Sequence, residues 1–76
     1  MTEFDPARYT ITLRRVRVDG EWIDRATVAE LPDVADYGEC PLEAYEQVIE
    51  TIDALHKLSI EDGHSFPEPL PDCLTV

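Results

Sequence analysis

Apolar and polar positions recur with two different periods along this chain, and the change of period divides it. Tyr9, Ile11 and Leu13 alternate with Thr10 and Thr12, the two-residue period of a half-buried strand rich in β-branched and aromatic side chains. The phase then slips: Arg14 and Arg15 are adjacent, and Val16 and Val18 carry the apolar side onward, which predicts a bulge near Arg14-Arg15. Asp19-Gly20 between two strand-like runs predicts a two-residue hairpin turn, because both residues tolerate positive φ. The returning strand, roughly residues 21–31, carries Trp22, Ile23, Ala26, Val28 and Leu31, and Pro32 is expected to end it. A short third strand around Val34–Tyr37 then leads to a turn at Gly38.

From there the period lengthens to that of a helix. Tyr45, Val48, Ile49, Ile52, Leu55 and Ser59 recur at three- and four-residue steps, predicting one helix from about Pro41 to Ile60 with a single apolar face. Pro41 suits the first helical position, where its missing N–H has no partner to lose. Gly63 supplies a permissive backbone just past the end, and Pro67 and Pro69 prevent resumption. Cys40 falls at the cap position, where a thiol replaces the better acceptors Thr or Ser. Glu43, Glu46, Glu50 and Asp53 share the same spacing and form an acidic stripe on the solvent side. Residues 73–76, Cys-Leu-Thr-Val, read as a short terminal strand, and residues 1–7 as a frayed lead-in. The expected fold is α+β, a small β-β-β-α-β domain over 1–76, with one long helix on one face of an antiparallel sheet.

At 76 residues the chain is near the lower limit for a core stable alone, so a homo-oligomer is expected. An apolar fraction of 43% excludes wholesale disorder, and no run approaches the roughly 18 apolar residues of a membrane span. The N-terminus shows no secretory signal, which points to the cytoplasm. Charge changes the picture more. Residues 1–25 balance five acids with five arginines, whereas residues 26–76 hold twelve acids and only Lys57, the whole net −11. Such a surface repels phosphate backbones and speeds encounter with a basic protein. Direct nucleic-acid binding is therefore not expected. Arg14 alternates to the opposite face from Arg15 and Arg17, so salt bridging and guarding a strand edge suit these arginines.

Candidate chemistry is sparse. Asp33, Asp36 and Glu39 are close in sequence, but two-metal hydrolysis needs several carboxylates fixed on neighbouring strands around ions about 4 Å apart. Cys40, Cys73, His56 and His64 have neither C-x-x-C nor H-x3-H spacing, so no metal or other cofactor is expected and the cysteines read as reduced packing residues. No hydrolase motif or Gly-rich phosphate loop is present. His56 is expected at the border of the buried helix face, His64 at the helix exit, and Trp22 and Tyr45 in the core.

One ordered set of features resembles a known family. Leu31-Pro32, Gly38-Glu39, Glu43-Ala44, Gly63 and Pro67-Glu68-Pro69 follow one another in the order and spacing of the HicB-like antitoxins, loosely over residues 9–76. Asp33-Val34 departs from that family's Gly-Cys, and Cys40 from its capping Thr. The sequence also stops where many relatives continue into a DNA-binding domain, which leaves operon autoregulation an open question for it. The resemblance implies an inactive, partial ribonuclease H-like fold that neutralises a small basic mRNA-cleaving toxin. The acidic stripe Glu43, Glu46, Glu50 and Asp53 would be its partner-binding surface. An acidic mimic of nucleic acid that inhibits another protein, or an adaptor, is the alternative.

Overall fold

The computed structural model describes residues 4–70 and shows an α+β domain. Three antiparallel strands, β1 (Ile11–Val18), β2 (Glu21–Val28) and β3 (Leu31–Gly38), lie in the order β1-β2-β3, and one long helix, α1 (Pro41–Asp62), packs on the sheet. The expected strand at residues 73–76 lies outside the described residues.

The β1–β2 hairpin turns at Asp19 and Gly20, whose φ values of 50° and 82° are both positive. Every residue of β1 from Ile11 to Val18 has a partner in β2, so no bulge occurs at Arg14-Arg15. The adjacent arginines simply point to opposite faces: Arg15 lies opposite Asp24 on the helix side, and Arg14 opposite Arg25 on the outer side. The irregularity sits elsewhere. The chain turns at Ala29-Glu30 rather than at Pro32, and β3 begins at Leu31 opposite Val28. The ladder then resumes with Ala35 opposite Thr27, so Pro32, Asp33 and Val34 bridge a register shift. A residue without an N–H costs nothing where the ladder is already interrupted on an edge strand, which is why Pro32 opens β3 rather than closing β2.

The core lies between α1 and β2–β3. Ala44, Val48 and Ile52, four residues apart, are completely buried against Ala26, Val28 and Val34. Leu55 packs at the edge of this cluster. The buried seam therefore starts at Ala44, and Tyr45 and Ile49 flank it half-exposed instead of lying within it. Gly38 permits this close packing. A Cβ there would come 2.5 Å from the Ala44 backbone nitrogen and 2.9 Å from the Glu43 backbone, so the strand end touches the first helical turn. The α1 end is a Schellman closure. Gly63 has φ 71°, its N–H donates to the Ile60 carbonyl (3.2 Å), and the His64 N–H donates to the Ser59 carbonyl (2.9 Å).

The segments before β1 and after α1 clamp the helix. Where the sequence suggests a frayed lead-in, Pro6–Arg8 form a 3-10 turn and Phe4 stacks flat on His56, with ring centroids 3.6 Å apart. Phe66 meets both Phe4 and Tyr9 edge-on, and the Tyr9 hydroxyl donates to the Pro67 carbonyl. Burial, then the charges of Glu30 and Glu68, raise the Tyr9 pKa above its ordinary value. Glu30 ties the same end together. It accepts from the Thr10 N–H (3.0 Å), the Thr10 hydroxyl (3.1 Å) and the Leu70 N–H (2.8 Å). Burial pushes its carboxyl up, but these hydrogen bonds to the charged form outweigh burial and hold the pKa below its ordinary value.

Candidate functional site

The four acids of the helix stripe have different occupations. Cys40 caps α1 with extended backbone and makes no side-chain cap bond, so the first turn keeps unpaired N–H groups. Glu43 compensates in part: its carboxylate accepts from the Glu39 N–H (2.9 Å) and lies in the first turn, where negative charge suits the helix dipole. At the other end of the stripe Asp53 pairs with Lys57 at 3.0 Å. Glu46 and Glu50 remain, both exposed and, among the described residues, without an ion pair. Successive turns of α1 stack them one above the other, an arrangement that costs a few tenths of a kcal/mol in mutual repulsion.

Beside these two carboxylates the half-exposed Tyr45 and Ile49 line a shallow depression of about 430 Å³, with Glu46 and Glu50 as its other walls. An apolar floor with two carboxylates at its rim fits the long side chain of Lys or Arg, whose methylene stem lies on apolar surface while its charged head stays polar. The stripe of the sequence thus reduces to a compact site of Tyr45, Glu46, Ile49 and Glu50, with Glu43 and Asp53 in supporting positions. The spacing of Tyr45, Val48, Ile49 and Ile52 places Tyr45 and Ile49 in the core only when Ala44 is left out of the apolar face. Counting Ala44 with Val48 and Ile52 centres the seam one residue earlier and leaves Tyr45 and Ile49 at its margin.

Elsewhere the candidate groups are dispersed. Asp33 is exposed on the outer side of β3, whereas Asp36 lies on the helix side opposite Ala26, with one buried oxygen, Oδ2, lacking a hydrogen-bond partner. Among the described residues no three His, Cys, Asp or Glu side chains gather where a metal ion could sit. Cys40 is a free, exposed thiol. A second, larger cleft of about 570 Å³ opens beside Phe4, Arg8, His56, His64 and Phe66. It arises where the clamp segments cross the helix end. His56 sits there as expected, half-buried at the border of the helix face.

Trp22 departs from expectation. It is 57% exposed, with the Arg17 guanidinium 5.5 Å from its ring centroid. β3 ends at Gly38 opposite Asp24, two pairs short of Trp22, so the sheet narrows before reaching it. Arg15 does make the expected ion pair, 3.1 Å from Asp24, whose side chain is buried. No helix among the described residues is long and apolar enough to cross a membrane. Compared with known proteins, the chain matches no family model, no curated protein and no solved structure.

Proposed function

We propose that this domain is a non-catalytic, cytoplasmic protein-binding module of the HicB-like antitoxin kind, which neutralises a small basic mRNA-cleaving toxin by covering it with the exposed side of α1. The observation that carries this reading is the pair Glu46 and Glu50, free of ion pairs among the described residues and set around the depression floored by Tyr45 and Ile49. A cationic surface that grips RNA presents Lys and Arg side chains, and this site receives such side chains in place of phosphates. The surrounding helix strengthens the attraction, since α1 carries six acids against one lysine. Charge draws the partner in, and the aromatic and aliphatic floor supplies the desolvated contact that charge alone lacks.

The test is relief of toxicity. The chain is co-expressed with a short basic mRNA-cleaving ribonuclease, and mRNA cleavage and growth are followed. Cleavage should fall when the intact chain is present and recover when Tyr45→Ala and Glu50→Gln are combined in a chain that still folds. Undiminished cleavage in the presence of a folded, soluble chain would overturn the proposal.

A further inference from the structure

The sheet has two edges of opposite charge. β1 carries Arg14, Arg15 and Arg17 and no acid, whereas β3 carries Asp33 and Asp36 and no base. Among the described residues β1 is paired on one side only. The hairpin fixes which of its backbone groups are free. Its two-residue turn makes Val18–Glu21 a hydrogen-bonded pair, so Thr12, Arg14 and Val16 also bond to β2; the Ala29 N–H donating to the Thr10 carbonyl (3.0 Å) continues that alternation. The N–H and C=O groups of Leu13, Arg15 and Arg17 therefore point away from the sheet, along eight residues of regular, unbulged strand. Natural edges of this length are normally covered, kinked or charged.

The charge here is selective as well as protective. Two copies joined through β1 would set arginine against arginine, and two joined through β3 would set aspartate against aspartate, so closed two-fold pairing along either edge is opposed. On the outer side of the sheet Arg14 already faces Arg25 directly, a like-charge pair with no acid bonded to either among the described residues. Arg17, on the helix side, lies over Trp22 rather than against a carboxylate. A carboxylate-bearing strand beside β1 would relieve the first and meet the second. Leu13 is 42% exposed on the helix side of that edge, open to an apolar residue of the incoming strand.

We infer that the β1 edge is a second docking site, distinct from the acidic helix face, which takes an extended acidic segment of a partner protein as a fourth strand. The Leu13, Arg15 and Arg17 backbones supply the hydrogen bonds, and Arg14 and Arg17 select carboxylates over cations. The domain would then engage two proteins of opposite charge through opposite parts of its surface.

The probe is a synthetic valine-rich peptide of the length of β1 with glutamates placed on both faces of the added strand, so that one can reach Arg14 and another Arg17, and its counterpart with lysine for glutamate. Amide exchange of the full chain is followed by NMR at physiological ionic strength, where a screening length of about 8 Å confines recognition to the nearby arginines. The glutamate peptide should slow exchange at Leu13, Arg15 and Arg17 and bind at least roughly fivefold more tightly than the lysine peptide. The double variant Arg14→Glu, Arg17→Glu, whose exposed positions leave the core untouched, should reverse that preference. Equal binding of both peptides, or of neither, would overturn the inference. So would slow exchange at these amides before any peptide is added, which would assign the edge to residues 71–76 of the chain or to a second copy.

Discussion

At Gly38 the cost of a side chain comes from proximity, since a Cβ would meet the backbone at Ala44 and Glu43. Gly38→Ala must push the first turn of α1 off the sheet, and a loss of about 1–3 kcal/mol is expected from overpacking, read as a lowered denaturation midpoint. An unchanged midpoint would mean that the strand end and helix start give way freely. Cys40 presents the reverse case. Its extended cap conformation is already right and only the acceptor is missing, so Cys40→Thr should raise stability by about 0.5–1 kcal/mol. A lowered midpoint would show that the thiol packs in a way threonine cannot. Asp36 is the third residue of this kind. Its buried Oδ2 has no partner, a state that usually costs about 1–3 kcal/mol, so Asp36→Ala should be neutral or stabilising in the same assay.

The elements divide by how local their causes are. The hairpin and the helix were legible because Asp19-Gly20, Pro41 and Gly63 act within a few residues of themselves. The boundary between β2 and β3 was not, because Pro32 tolerates both the end of a central strand and the start of an edge strand. Only the pairing of Leu31 with Val28 decides between them. The aromatic clamp was equally hidden: nothing near Phe4 in sequence announces that His56 lies 52 positions on and flat against it. The acidic character of the candidate site was readable from spacing, but its apolar floor depended on the rotation of α1, which Ala44 sets.

Glu30 shows what the clamp contributes. Its carboxylate is hydrogen-bonded in the folded chain and its pKa is lowered, so the stabilisation is complete above the ordinary carboxylate range and is lost as pH falls through the lowered folded value. Glu30→Gln should therefore be less stable than the parent near neutral pH and approach it in acid. Parallel stability curves across that range would show that the carboxylate charge contributes nothing.

Across the whole molecule the net −11 is not spread evenly, and the fold turns an asymmetry in sequence into one in space. Four of the five arginines sit on the hairpin, three of them on β1, the strand that α1 covers least, while the helix carries acids along its exposed face. Charge alone would make a soluble protein; in the proposed reading the depression at Tyr45 and Ile49 is where a basic side chain of the partner lodges. The central claim is that Glu46 and Glu50 capture a basic protein. It is tested most directly by the association rate with a small basic ribonuclease of the proposed kind, measured from low to physiological salt for the parent and for Glu46→Gln, Glu50→Gln. Among the described residues neither glutamate has an ion-pair or hydrogen-bond partner for its carboxylate, so the double variant should keep or slightly raise the denaturation midpoint. The parent rate should fall steeply as salt rises, and the variant should associate more slowly, with a flatter dependence. Rates that are the same for both proteins at every salt concentration would contradict the claim and leave the acidic helix as a solvated face.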